Sequence, residues 1–371
     1  MKIVSVEAIS LEAPLDKLIV RARQTVPLKA RRCLLVKITT DEGYVGYGEG
    51  LTPVAPQAAA AVVTHVLTPF LIGQDPLNSE PIWEKLYATN SSRGYTRGYQ
   101  MIAISAVDIA LWDLKGKILS KPVYQLLGGT HLDKIPVYAT GLIIEKEVES
   151  IVSLALHYYE QGFRAMKLKI GQDLNHDLAI LHALRKSLDS DVKIMVDANG
   201  AYDSTTAINI GKQMEELDIY WFEEPVPPED VDGMARVREH VSMYIAAGEC
   251  EYNRFGFRDL FLKKAIDICQ PDVARAGGIT ECKKVAAMAQ AFNVHYAPHA
   301  WGGVICIAAT MHLVMSLPNF LICEFDRVPN PLRDELALEP LSFKDGFLHV
   351  SEKPGLGIDL DENALKRFTI T

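Results

Sequence analysis

Between Ile135 and Asp326 the chain carries eight short apolar runs separated by helical or loop-like stretches. They read "IPVYATG", "RAMKLKI", "VKIMVDANG", "IYWFEEP", "MYIAAGE", "IDICQPD", "VHYAPH" and "FLICEFD". Strands that alternate with helices imply a parallel sheet, because a parallel connection needs a long crossover. Eight such units in one stretch imply closure, so the expectation is an α/β fold with a (β/α)7β TIM-like barrel. Functional groups of such a barrel gather where its strands end, at the C-terminal mouth.

The first 50 residues follow another pattern. "KIVSVEAISLEAP", "CLLVKITT" and "YVGYGEG" are strand-like, with a tight turn at Asp41-Glu42-Gly43. The period then turns helical in "PQAAAAVVTHVLTPFL", "SEPIWEKLYAT" and "YQMIAISAVDIALWDLKGKILS". Three strands and a helical group make an α+β module, assigned to residues 1–125, with the barrel at 126–330. The segment 331–371 reads as strand and loop and is expected to return to the N-terminal module. A chain of 371 residues accommodates both parts, and 49% hydrophobic content is enough for a sizeable core.

A formal charge of −9 leaves no positive field to gather phosphates, so nucleic acid is not an expected partner. No apolar run has transmembrane length, and "MKIVSVEAIS" lacks the apolar core of a signal peptide; the expected location is cytoplasmic, with no membrane partner. Six scattered cysteines without metal-binding spacing fit a reducing compartment.

The octet "RAMKLKIG" alternates apolar Met166, Leu168 and Ile170 with Lys167 and Lys169, which therefore share one face of a strand. On a solvated edge such lysines are ordinary. Facing a barrel interior, they require negative charge close by. That charge is at hand: Asp197, Glu223 or Glu224, and Glu249 end the next three strands, followed by Asp272, His299 and Glu324. From Lys169 the steps through Asp197, Glu223, Glu249, Asp272, His299 and Glu324 are 28, 26, 26, 23, 27 and 25 residues, one strand–helix unit each. Three converging carboxylates make a hard oxygen site that suits Mg²⁺, and the absence of Cys or His among them argues against zinc.

A carboxylate substrate on that ion would place its α-carbon between a lysine and His299. Removing the α-proton creates a dianionic enediolate, which a cation and a neutralising ammonium stabilise. Lys167 suits the neutralising role and Lys169 the base. At an effective dielectric near 20 the two ammoniums repel by about 2.5 kcal/mol, which pulls a lysine toward a useful base against the opposing carboxylates. Asp272 would orient His299 through one ring nitrogen.

The set Lys167, Lys169, Asp197, Glu223, Glu249, Asp272, His299 and Glu324 resembles the mandelate racemase subgroup of the enolase superfamily. "SAVDIALWDLKGK" (105–117) and "QPDVARAGGITE" (270–281) extend the resemblance over the whole length. It implies that the N-terminal module caps the barrel, that Glu223 rather than Glu224 and Glu249 rather than Glu251 ligate the metal, and that Glu324 hydrogen-bonds the substrate carboxylate. It also implies a homo-oligomer, a dimer or an octamer, acting on a small-molecule carboxylate, an acid sugar or its lactone. "GEGLTPVAPQ", "VYATG", "FEEPVPPED" and "EFDRVPNPLR" are most similar to lactone-opening members, with acid-sugar dehydratase and then racemase or epimerase as alternatives. A non-catalytic sugar-acid binding protein is disfavoured by the complete set of acid–base residues.

Specificity in this family comes from loops of the capping module. Here "PLDKLIVRARQTVPLKARR" (14–32) brings six cations against the single acid Asp16. Arg31 and Arg32 are expected to be solvated. Arg21, Arg23 and, on the third barrel strand's loop, Asn199 are the candidates for substrate contact.

Overall fold

Eight parallel strands form the barrel in a computed structural model that describes residues 1–19, 28–143 and 147–370. Before them, β1 (Ile3–Ile19), β2 (Leu28–Thr40) and β3 (Val45–Leu51) form an antiparallel sheet, as the alternation predicts. The Thr40–Tyr44 turn closes on Gly43 at φ 85°, a conformation only glycine adopts freely.

Why β3 reads "VGYGEGL" is explained by the helix Tyr99–Ile118 packed on it. A Cβ at Gly48 would stand 1.9 Å from the Ala106 carbonyl oxygen, and one at Gly46 2.3 Å from that of Ala110. The glycines let strand and helix backbones meet. The stretch expected as one helix after β3 is three pieces: Pro56–Val62, a π-helical turn at Val63–Leu67, and Thr68–Leu71. Pro69 cannot donate to the preceding turn and would crowd its carbonyl, so the helix widens there. The Thr68 hydroxyl donates to the Val63 carbonyl at 2.9 Å.

The barrel strands are β4 (Ile135–Leu142), β5 (Ala165–Lys169), β6 (Lys193–Asp197), β7 (Ile219–Glu223), β8 (Tyr244–Ala247), β9 (Ile268–Cys269), β10 (His295–Tyr296) and β11 (Cys323–Asp326). Each pairs in parallel with the next from β4 to β10, and β11 pairs with β4. Tyr296 closes the ring by accepting from the Leu321 N–H at 2.8 Å and donating to the Asn319 carbonyl at 3.0 Å. Seven helices, from Val148–Glu160 to Val304–Met315, cover the outside and bury the outward Met166, Leu168 and Val196.

The C-terminal segment divides. The hairpin β12 (Ser342–Lys344) and β13 (Phe347–His349) adds to the N-terminal end of β4 rather than to the capping sheet. A helix, Glu362–Phe368, follows where strand and loop were expected, its start capped by Asp361. Only then does β14 (Thr369–Ile370) pair with β1. Among the described residues no helix is long and apolar enough to cross a membrane.

The capping module is bonded to the barrel by the motif "SAVDIALWD". Asp108 accepts from Thr280 N and Oγ1 at 3.0 and 2.5 Å, Ser105 Oγ accepts from Gly277 N at 2.9 Å, and Trp112 Nε1 donates to Thr280 Oγ1 at 2.8 Å. These partners lie one or two helical turns apart, so a single helix face carries them.

Candidate active site

The two-residue period of the barrel strands separates an apolar floor from a charged ceiling. Tyr138, Ala165, Met195, Trp221, Ala246 and Ile322 fill the interior below. Two residues further along their strands, on the same face, stand Thr140, Lys167, Asp197, Glu223 and Glu324. Lys167 is 1% exposed and Lys169 8%, so both lysines face the interior.

Lys167 Nζ lies 2.7 Å from Glu223 Oε1, 3.2 Å from Glu324 Oε1 and 3.8 Å from Asp197 Oδ2, and 5.4 Å above the Tyr138 ring. Burial disfavours its charge, but Glu223 and Glu324 prevail and raise its pKa well above the usual lysine value. The expected lowering by the second ammonium is thus overridden for Lys167. Lys169 Nζ pairs with Asp197 Oδ2. Burial would raise the Asp197 pKa, yet Lys169 and Lys167 hold it below the ordinary value.

One carboxylate oxygen each from Asp197, Glu223 and Glu249 lie within 4.8 Å of one another. These donors are all hard oxygens at the ends of adjacent strands, a set that fits a magnesium-like cation. A second grouping, Glu224, Glu249 and Cys250, meets the same limit but brings in a soft thiol. Burial and the Asp197 charge push Glu223 up to about 8 against the pull of Lys167, as befits carboxylates crowded without enough cations. Glu223 Oε2 is oriented by Gln270 Nε2 at 2.8 Å and Trp221 Nε1 at 3.2 Å. Sequence reasoning passed over both donors, since neither residue type signals a role by itself.

Across the mouth, His299 Nδ1 is 2.6 Å from Asp272 Oδ2, and its Nε2 is 3.3 Å from Glu249 Oε2. Burial lowers the imidazole pKa, but Glu249, Glu324 and Asp272 outweigh it and raise it to about 9. Glu324 accepts from Thr140 Oγ1 at 2.7 Å and from Ala300 N at 2.9 Å. Burial opposes its ionisation, yet Lys167 and His299 hold it far below the ordinary carboxylate range. In this arrangement it anchors Lys167 and the 299–301 turn; donating to a substrate carboxylate requires it first to gain a proton.

Lys169, His299, Glu324 and Thr140 line one cavity together with apolar Ile143, Trp301 and Val328. Among the described residues it measures about 20 Å³, room for a water molecule.

Asn199, left-handed at φ 45°, donates from Nδ2 to Glu249 Oε1 at 3.3 Å and from its backbone N–H to Asp197 Oδ1 at 2.8 Å. It orients the carboxylates. Arg21 and Arg23 lie outside the described residues. Arg31 corrects an expectation: it is 3% exposed, donating to Asp326 Oδ2 at 2.6 Å and to the Pro329 carbonyl at 3.1 Å, 4.0 Å over the Trp301 ring. Arg32 is partly buried against Glu12 at 2.5 Å rather than freely solvated. Glu49 was also missed. It is buried and accepts from Gly303 N at 2.6 Å and Cys306 N at 3.0 Å, at the start of the helix after β10.

The family models for the mandelate racemase / muconate lactonizing enzyme N-terminal domain and the enolase C-terminal domain-like fold match residues 6–128 and 150–364. With that coverage, the chain belongs to the enolase superfamily, in its mandelate racemase / muconate lactonizing enzyme branch. Among individual proteins it is similar to D-galactarolactone cycloisomerase of Agrobacterium fabrum, 38% identical over 99% of both chains. It is 35% identical to arabinonate dehydratase of Saccharolobus solfataricus, over 90% of this chain and 89% of that one. The crystal structure of the 3,6-anhydro-D-galactonate cycloisomerase from Zobellia galactanivorans superposes with a TM-score of 0.92, at 40% identity over 100% of both chains. The chain is an enzyme, of the isomerase or lyase class that these relatives represent.

Proposed function

We propose that this enzyme removes the proton α to the carboxylate of an acid sugar, and that its reaction is the cycloisomerisation of an aldarate lactone of the D-galactarolactone type. The observation that carries the proposal is one cavity lined by Lys169, by Glu324 and by His299, whose imidazole is held by Asp272. Asp197, Glu223 and Glu249 would hold Mg²⁺, which when bound stabilises negative charge on the substrate carboxylate. Lys167, fixed by Glu223 and Glu324, adds a positive charge that no ordinary pH removes. The Nδ1–H of His299 directed at Asp272 leaves Nε2 for proton transfer on the cavity side. Lys169 serves the opposite configuration at the α-carbon.

In lactone opening, the electron pair of the broken α-C–H bond forms the new C=C bond, and the ring C–O bond at the β-carbon breaks. The ring oxygen leaves as a carboxylate, which needs no proton from the enzyme, and the enol product becomes the 2-keto acid. Dehydration, the second reading, is favoured by the arabinonate and galactonate dehydratases among the relatives. There the same first step expels hydroxide, and His299 must donate a proton to it. Incubation in D₂O with aldaric lactones and aldonic acids distinguishes these routes. Ring opening with deuterium at C3 supports the first, 2-keto-3-deoxy acid from an open aldonate supports the second, and neither product nor α-exchange from any acid sugar refutes both.

A further inference from the structure

We infer that Glu224 and Cys250, together with Glu249, form a second cation site, one that takes a thiophilic divalent ion such as Zn²⁺ or Cd²⁺ and, by sharing Glu249, competes with Mg²⁺. The competition rests on the reading of Asp197, Glu223 and Glu249 as the Mg²⁺ site; the ligation by Glu224 and Cys250 does not.

The ligands come from two neighbouring strand ends. Glu224 directly follows β7, and its N–H donates to the Ala246 carbonyl of β8 at 3.0 Å. Glu249 and Cys250 lie in the turn after β8, which the Glu251 N–H closes on the Gly248 carbonyl at 3.0 Å. One ligand atom from each of Glu224, Glu249 and Cys250 therefore stands within 4.8 Å of the others. Cys250 Sγ is 4.0 Å from Glu224 Oε2. A sulfur and an oxygen on one tetrahedral Zn²⁺ stand about 3.5 Å apart, so a small rotation of either side chain closes the pair on an ion.

A second observation points to a ligand there. Glu224 is 2% exposed, and its Oε1 has no hydrogen-bond partner among the described residues. The nearby lysines are engaged elsewhere, Lys167 with Glu223 and Glu324 and Lys169 with Asp197. A buried carboxylate in that state is short of a positive partner, which an ion beside Cys250 would supply. The thiol decides which ion: Mg²⁺ keeps to oxygen donors, whereas softer cations bond thiolate. Of the six cysteines only Cys250 is not fully buried, so it is the thiol within an ion's reach. Binding replaces its S–H bond with a sulfur–metal bond, releases that proton to the buffer and changes no oxidation state. Arg275 acts electrostatically on Cys250 and Glu249 and opposes a cation, so thiolate and both carboxylates are needed against it. An ion that draws Glu249 toward Cys250 takes it from Asp197 and Glu223, and two dications around one carboxylate repel each other.

The test is titration of the metal-free enzyme with Cd²⁺, followed by the ultraviolet thiolate-to-Cd²⁺ charge-transfer band, and its repetition at saturating Mg²⁺. Wild type should develop the band with one Cd²⁺ per chain, and Cys250→Ser should not develop it. Glu224→Gln should bind Cd²⁺ at least about tenfold more weakly, which a thiol acting alone would not show. Saturating Mg²⁺ should weaken Cd²⁺ binding at least about tenfold. No band in wild type, a band kept in Cys250→Ser, or an unchanged Cd²⁺ affinity in a folded Glu224→Gln overturns the site. A Cd²⁺ affinity indifferent to Mg²⁺, where calorimetry shows Mg²⁺ bound, overturns the competition. Absence of any Mg²⁺ binding, with the band intact, refutes the Mg²⁺ reading and the competition with it, but not the ligation.

Discussion

Replacing Lys167 by methionine keeps the length of the side chain and removes one buried charge. Its ammonium is 2.7, 3.2 and 3.8 Å from oxygens of Glu223, Glu324 and Asp197. At an effective dielectric near 20 those contacts correspond to about 6, 5 and 4 kcal/mol of gross attraction. Desolvation of the ions, several kcal/mol each, consumes most of it, and breaking a buried pair costs about 3–5 kcal/mol net. Unfolding entropy near 2.1 cal/mol/K per residue gives about 0.8 kcal/mol/K for a chain of 371 residues, so the melting temperature should fall by about 4–6 °C. The same loss should make the site a better cation trap. Lys167 repels any divalent ion beside the carboxylates, so EDTA-stripped Lys167→Met should bind Mg²⁺ at least about tenfold more tightly than wild type. Turnover should nevertheless vanish, because the ammonium proposed to neutralise the substrate carboxylate is gone. Titration calorimetry with Mg²⁺, melting curves with and without it, and an α-exchange assay measure all three effects. Unchanged or weaker Mg²⁺ binding, or retained turnover, would refute the reasoning.

Asp197→Asn, Glu223→Gln and Glu249→Gln should each weaken Mg²⁺ binding in the same titration, and Glu224→Gln much less; the reverse ranking identifies Glu224 as the ligand. His299→Asn should abolish turnover of the sugar substrate and deuterium incorporation from D₂O, and Lys169→Ala should abolish both for its α-epimer. Undiminished turnover in either removes that residue from the mechanism. His312, buried in the helix after β10, accepts from Tyr124 N at 3.2 Å and reaches the Leu356 carbonyl at 3.2 Å, and burial pushes its pKa down to about 4. Between pH 6.5 and 4 the unfolded chain therefore binds a proton that the folded chain does not. Stability should fall as the pH falls through that window, by about 3 kcal/mol in all, measured by urea unfolding. His312→Gln should remove this component; an unchanged pH dependence would show that it lies elsewhere.

The eight barrel strands were legible because each is a short apolar run bounded by turn residues and spaced by one strand–helix unit. Their inner face was legible at β5, where lysines at alternate positions leave an interior or a solvent edge as the only choices. Long-range pairing was not legible. Arg31 sits in a run of cations that reads as solvated, and its partners Asp326 and Pro329 come 295 and 298 residues later. Glu49 looks like an ordinary strand residue until the 303–306 backbone, 254 residues on, is folded against it. Trp301 and Gln270 carry no charge pattern at all. The helix at Glu362–Phe368 was missed because seven residues are too few to show a helical period, although Asp361 supplies its cap. Loop cations Arg21 and Arg23 remain proposals for substrate contact.

Arg31, Glu49 and Trp301 share a location, the seam between the two domains, and this bears on how the family's chemistry is kept while its specificity changes. Asp197, Glu223 and both lysines lie on strands that pair as neighbours in register, Lys169 beside Asp197 and Asp197 beside Glu223, and Glu249 follows β8 by two residues. Their relative positions are set by the barrel alone. The turn from His299 to Gly303 is different: Asp272 and Glu324 hold it from the barrel side, but Glu49 of β3 and Arg31 of β2 hold it from the capping sheet. A change in β2 or β3 can therefore move Trp301 and His299 without touching the carboxylates. The glycines of β3 fix how closely that sheet approaches the Tyr99–Ile118 helix, whose Ser105, Asp108 and Trp112 are in turn bonded to the 277–280 segment. Glu49 is thus aimed at the barrel by a chain of close contacts with little freedom to relax. Loss of its carboxylate would leave the Gly303 and Cys306 N–H groups buried without it, at a cost of about 1–3 kcal/mol each. That penalty falls on the turn carrying His299, not on the carboxylate cluster.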